Sequence, residues 1–142
     1  MRVVEVDYAN IIGRGIKFPF RIDPSTGRIA IQNSSTKIEA EERIKQSIAQ
    51  ILGTRVGERP GLREFGSYLD DLPFEPNDEE FDSYVEYIVT DAITKWEKRV
   101  KIAEVIISRE NLDDGLVDIQ IKFIILATQE EGNMIYPHFV SM

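Results

Sequence analysis

Apolar and polar positions alternate along some stretches of the chain and recur every third or fourth residue along others. Ile16-Lys17-Phe18-Pro19-Phe20-Arg21-Ile22 and Arg28-Ile29-Ala30-Ile31-Gln32 alternate with the period of a half-buried strand. Asp23-Pro24-Ser25-Thr26-Gly27 between them is turn chemistry, so the pair predicts a hairpin. Pro19 has no N–H to give a ladder, which puts the first strand at an edge. Residues 1–12 show no clear period and read as an arm or an edge strand.

Two helices follow from the longer period. Thr36 with Glu39 forms a capping box, each side chain answering the other's free backbone donor. Ile44, Ile48, Ile51 and Leu52 then fall on one face, with Ile38 near the start, and Gly53 ends the helix. Leu72-Pro73-Phe74-Glu75-Pro76 is expected to be extended, because each proline disfavours helix before it. Asn77 with Glu80 offers a second cap. Phe81, Tyr84, Val85, Ile88, Ala92 and Trp96 predict a helix of about five turns. It ends near Lys98 and Arg99, where cations suit the dipole. Its aromatic residues read as core.

The C-terminal third reads as strands. Val100 to Arg109 is rich in β-branched residues, and Glu110 to Gly115 is a turn. Leu116 to Thr128 alternates, with Val117, Ile119, Ile121, Phe123 and Ile125 on one face and Asp118, Gln120 and Lys122 on the other. Ile124 and Leu126 make the second face apolar near the end, which predicts cover on both sides there. Glu130-Glu131-Gly132-Asn133 reads as a turn. Met134 to Val140, interrupted by Pro137, reads as a last strand. The fold expected is a single α+β domain. Two main helices pack on a small, mainly antiparallel sheet, with an N-terminal hairpin and C-terminal strands available for pairing with a neighbour. Residues 1–12 form an arm, 13–128 the domain, and 129–142 a tail.

Thr54 to Asp71, TRVGERPGLREFGSYLDD, fits neither period. Gly57, Pro60, Gly61 and Gly66 break regular structure, while Val56, Leu62, Phe65, Tyr68 and Leu69 can anchor the segment to a core. A connection this long without its own secondary structure is usually functional or disordered, and the anchors argue against disorder. A guanidinium offers five donors in a planar fork. The loop therefore reads as a shaped surface presenting Arg55, Glu58, Arg59 and Arg63 to a partner. The alternative is a loop whose arginines cap the preceding helix and pair with local acids.

Composition narrows the chemistry. The 142 residues contain no cysteine and one histidine, His138. Disulfides, thiolate metal sites and multi-histidine metal sites are thereby excluded. No apolar run is long enough for a membrane span, and the start lacks the order of a signal peptide. The net charge of −8 is uneven: residues 1–66 carry 11 basic and 8 acidic side chains, and residues 67–142 carry 6 and 17. Nucleic acid is a poor partner for the second half, whereas faces of opposite sign suit packing against protein neighbours. The acidic pairs Asp70/Asp71, Glu79/Glu80 and Asp113/Asp114 invite a glycosidase reading. That chemistry needs two carboxylates at a set distance across a cleft, and nothing in the sequence places two of them so. There is no phosphate loop and no calcium loop. No catalytic residue, metal or cofactor is expected.

Several segments together resemble a known family. Gly13 to Phe20 resembles its first strand. Ile44-Lys45-Gln46-Ser47-Ile48-Ala49-Gln50-Ile51-Leu52-Gly53-Thr54-Arg55-Val56-Gly57-Glu58-Arg59 resembles its helix running into a T-x-x-G-E-R loop. Phe65-Gly66-Ser67 with Leu69 resembles its F-G-S-x-L sequel, and Phe74-Glu75-Pro76 its exit. This is the baseplate assembly protein W family, the gene-25-like wedge protein of contractile phage tails and related injection systems. The resemblance covers roughly residues 13–128. Some members carry Glu-Pro-Arg where this chain has Glu58-Arg59-Pro60.

The resemblance implies a structural role. Family members sit in the baseplate around the tube, touch a helical bundle of wedge proteins, and start the contractile sheath. Their C-terminal strands resemble those of the sheath subunit, so the first sheath ring adds to them by strand pairing. The expected partners are the sheath protein, the wedge proteins of the core bundle and the inner tube or hub. Several copies ring the particle, with assembly in the cytoplasm, and neither nucleic acid nor membrane takes part. The expected pairing elements are the strand bearing Val117, Ile119, Ile121, Phe123 and Ile125, and the tail bearing Met134, Ile135, Tyr136, Phe139 and Val140. The family has also been labelled lysozyme-like, so a muramidase domain is the rival reading. A generic adaptor unrelated to tails is a third.

Overall fold

A computed structural model describes residues 12, 13, 15–17, 22–32, 36–72 and 79–139. Most of the N-terminal arm, Phe18 to Arg21 of the first strand, Pro73 to Pro76, Asn77 and Val140 lie outside the described residues. The chain divides into two compact units, Met1–Ile48 and Ala49–Met142.

In the first unit, β1 (Gly15–Ile16) pairs antiparallel with β2 (Ile31–Gln32), Gly15 opposite Gln32. An Ile22–Ile29 bridge continues the hairpin towards its turn. The Asp23 carboxylate accepts hydrogen bonds from the Ser25 amide at 2.9 Å and hydroxyl at 2.6 Å. Those bonds hold its pKa below the usual value. The Asp23 carbonyl accepts from Gly27 at 2.8 Å, and Gly27 takes φ +70°. The hairpin is the one its turn chemistry predicts.

Helix α1 (Lys37–Gly53) begins where Thr36 Oγ1 accepts the Glu39 amide at 3.2 Å, the first half of the expected capping box. Ala40, Ile44, Ile48, Ile51 and Leu52 are buried, as their helical spacing requires. Ile38 is a correction: it is 76% exposed, because Ala40 rather than Ile38 continues the stripe at four-residue spacing.

The second unit holds the last turn of α1, the loop, α2 and a three-stranded sheet. Helix α2 (Glu79–Trp96) buries Phe81, Val85, Ile88, Val89, Ala92 and Ile93. Lys98 Nζ donates to the Thr94 carbonyl at 3.1 Å, a cation on the negative end of the helix. The sheet order is β3 (Val100–Ser108), β4 (Leu116–Ile125), β5 (Glu130–Phe139), all antiparallel. Strand β4 alternates buried and half-buried along its whole length, with Val117, Ile119, Ile121, Phe123 and Ile125 inside. The Arg109 guanidinium binds both carboxylate oxygens of Asp82, tying the end of β3 to the first turn of α2.

Three strand expectations need correcting. Glu130 to Asn133 belong to β5, and the turn falls earlier, at residues 126–129. There Gln129 takes φ +59°, its amide donates to the Ile125 carbonyl at 2.7 Å, and its side chain donates to the Leu126 carbonyl. Polarity misled, because Glu131 stands exposed on the outer sheet face and Glu130 opens the strand only half-buried. The double cover expected near Leu126 is not formed among the described residues, since Leu126 is exposed in the turn. Lastly, β4 is the central strand. Its backbone pairs with β3 on one side and β5 on the other, so it offers no free edge.

Candidate partner-docking site

The loop after α1 is closed by its own backbone. Gly57 N–H donates to the Arg63 carbonyl at 2.7 Å, Glu58 to Arg55 at 3.0 Å, and Phe65 to Leu62 at 3.1 Å. Two hydroxyls receive the end of the helix: Thr54 Oγ1 donates to the Gln50 carbonyl at 2.7 Å, and Ser67 Oγ to Leu52 at 2.9 Å. These satisfy carbonyls that the helix leaves without partners. Gly57 and Gly61 take φ +91° and +87°, which explains glycine at both turns.

The four expected docking residues divide. The Glu58 carboxylate turns back and accepts the Arg55 amide at 2.9 Å. Arg55 pairs with Asp71 at 3.3 Å across the loop. The Arg59 guanidinium lies 4.4 Å from the Phe65 ring centre. Phe65 in turn meets Trp96 edge-on, centroids 5.1 Å apart. Arg63 is exposed, and only its carbonyl is used by the loop. Arginines do pair with local acids here, but the helix is capped by Thr54 and Ser67.

A cavity of about 380 Å³ opens between this loop and α2. Val56, Gly66, Ser67 and Tyr68 line one side, and Tyr84, Tyr87, Asp91, Lys95 and Trp96 the other. A second depression, around Glu79, Glu80 and Ser83, shares Tyr84 and Tyr87 with it. Lys95 Nζ spans the cavity to Glu64 at 3.4 Å and lies 5.5 Å from the Trp96 ring. Tyr84, expected in the core, is exposed, as is Tyr87 at 67%. Both sit on the flank of α2 beside its buried stripe. The missed signal was their company: Glu80, Tyr84, Tyr87, Asp91 and Lys95 follow one another at three- and four-residue spacing.

Met134, Ile135, Tyr136 and Phe139 belong to β5, a sheet edge. Ile135 is exposed and Phe139 is 76% exposed, while Met134 and Tyr136 are half-buried on the inner face. His138 is buried, its Nδ1 4.0 Å from Asp70 Oδ1. Burial lowers its pKa and the Asp70 charge partly restores it. Burial raises the pKa of Tyr136, and Asp70 adds to the rise.

The acid pairs do not converge. Asp70 faces His138 and Asp71 faces Arg55. Glu79 and Glu80 are exposed in the first turn of α2, and Asp113 and Asp114 are exposed in a separate short turn, Leu112–Asp114. Among the described residues no cluster of three or more His, Cys, Asp or Glu could hold a metal. No described helix is long and apolar enough to cross a membrane.

Comparison with known proteins completes the picture. Residues 38–130 match the family model described as baseplate wedge protein gp25. A solved Geobacter sulfurreducens structure, named as a candidate tail lysozyme, is 31% identical with a TM-score of 0.68, covering 72% of this chain and 93% of that one. A chain of the anti-feeding prophage baseplate shares the fold, with a TM-score of 0.62 at 20% identity, over 95% of this chain and 91% of that one. No curated relative matches the chain.

Proposed function

The chain belongs to the gp25 baseplate wedge protein family, and from that we propose that it is a structural baseplate component of a contractile tail or injection particle that initiates the sheath. The match over residues 38–130 carries this reading, since it takes in α1, the loop, α2, β3 and β4 together. The loop around Arg59 and Arg63 docks on wedge proteins around the tube, and the sheath subunit adds a strand to the sheet. With β4 enclosed, the addition falls to an outer edge. We assign it to β5, ten residues long, whose outer side has no partner strand among the described residues. An edge of this kind presents unmatched N–H and C=O groups, from which strand addition draws its affinity. Assembly takes place in the cytoplasm, in several copies per particle.

The name of the Geobacter sulfurreducens relative keeps a muramidase reading in view. Two carboxylates flanking a sugar-sized cleft would be needed, and the three acidic pairs lie apart and on different elements. Localising the chain in an electron-microscopy map of an intact particle tests the structural role. A position between baseplate and first sheath ring is expected. Turnover of peptidoglycan by the purified chain, abolished by replacing one named acid, would overturn it.

A further inference from the structure

Tyr84 and Tyr87 project large rings into solvent from a helix whose adjacent face is fully buried. With Tyr68 and Trp96 they make an aromatic lining along a groove of two adjoining depressions, which share Tyr84 and Tyr87. From Glu80 to Lys95 that groove follows α2 for roughly 22 Å. Its charge is lopsided. Among the described residues, Glu64, Glu79, Glu80 and Asp91 line it against the single cation Lys95, and Lys95 is already engaged by Glu64. Glu79, Glu80 and Asp91 have no ion pair among the described residues. One donor is also left over: the buried Trp96 Nε1 has no hydrogen-bond partner.

Electron-rich ring faces beside unpaired carboxylates favour one ligand chemistry. A guanidinium is planar, weakly hydrated and always charged, so it can stack on tyrosine while forking to a carboxylate. The chain already uses such stacking, with Arg59 over Phe65 and Arg109 over Phe81. An ammonium meets the same charge but stacks less well. We propose that the groove between α2 and the loop binds an arginine-bearing peptide segment of another protein, its guanidinium groups stacked on Tyr84 and Tyr87 and paired with Glu80 and Asp91. A segment of about seven residues in extended form spans the groove. This goes beyond the sheath reading and stands or falls independently of it.

The test exploits the chain's only tryptophan, Trp96, which lines the groove and reports its occupancy. A short blocked peptide of alternating arginine and glycine is titrated against the full chain while Trp96 fluorescence is followed. A saturable change is expected, weakened about tenfold by Tyr84→Ala with Tyr87→Ala. Asp91→Asn should weaken it similarly, whereas Asp113→Asn, on a distant turn, should leave it unchanged. Circular dichroism checks that each variant is folded; exposed Tyr87→Ala alone serves if the double variant is not. No saturable change, equal affinity in the tyrosine variants, equal binding of the matching glutamate peptide, or equal loss with Asp113→Asn would overturn the proposal.

Discussion

Gly66 is pressed against the carbonyl of Thr54 so closely that any β-carbon there would overlap its oxygen. Ser67, next in the chain, donates its amide to that same carbonyl at 2.9 Å. Residue 66 also takes φ +120°, where a side chain is strained even in open space. Gly66→Ala should therefore lower stability by at least about 1–3 kcal/mol. Urea unfolding measures this, and an unchanged midpoint would mean the loop relaxes freely.

Glu97 and Arg99 form the most buried ion pair among the described residues. Glu97 is 3% exposed, and its two oxygens take Arg99 Nε and NH2 at 2.6 Å each. Arg99→Met takes the counter-charge from a buried carboxylate and should cost about 3–5 kcal/mol. Glu97→Gln together with Arg99→Met should cost less than Arg99→Met alone. A double-mutant cycle by thermal unfolding decides it, and additive losses would refute the coupling.

Arg59→Ala should leave the fold intact. The loop's closure runs through backbone bonds and Ser67, and Arg59 adds a stacking contact of about 0.5–1 kcal/mol. Baseplate incorporation should fall by more, about 2–5 kcal/mol where a partner charge is left buried. Normal assembly by a variant that melts far below the parent would make Arg59 a structural residue.

His138 should make stability depend on pH. Its folded pKa lies below the ordinary 6.5 because burial disfavours the cation. The unfolded chain then binds more protons, so stability rises with pH through this window. It is full above the unfolded value, ordinarily about 6.5, and declines as pH falls below it towards the folded one. His138→Gln should flatten that slope in unfolding midpoints taken at several pH values. An unchanged slope would assign it to carboxylates instead.

Much of this was legible in the chain. The β4 alternation put five residues on one face, and that face is the buried one, since a one-residue slip would expose all of them. The α1 stripe and the hairpin turn were equally plain. Which strand lies at the centre of a sheet, by contrast, depends on partners remote in sequence, and no local period records it. Tyr84 shows a second limit. Its spacing suits the buried stripe of α2, yet it stands on the stripe's flank, where the loop leaves a groove instead of a cover. The roles of Thr54 and Ser67 as helix caps were hidden for a similar reason: Ser67 reaches Leu52 across the whole loop.

The β5 edge gives the last prediction. Deleting residues 129–142 would be a poor test, since β5 pairs with β4 along its whole length and buries His138 and Gly132. Such a deletion exposes the second side of β4 and damages the sheet before any sheath is added. Exposed side chains on the edge strand offer a gentler change. Ile135 and Phe139 point outward and contribute little to the core. Strand addition takes affinity from main-chain bonds and selectivity from side chains at alternate positions, and edge lysines discourage it. Ile135→Lys with Phe139→Lys should leave the unfolding free energy within about 0.5 kcal/mol of the parent, as for surface substitutions. The baseplate should still assemble while sheath fails to extend, giving particles with tubes and baseplates but no sheath. Counting such particles by electron microscopy settles the matter. Full sheath on a folded double variant would remove β5 as the template and leave β3 as the remaining edge of the sheet.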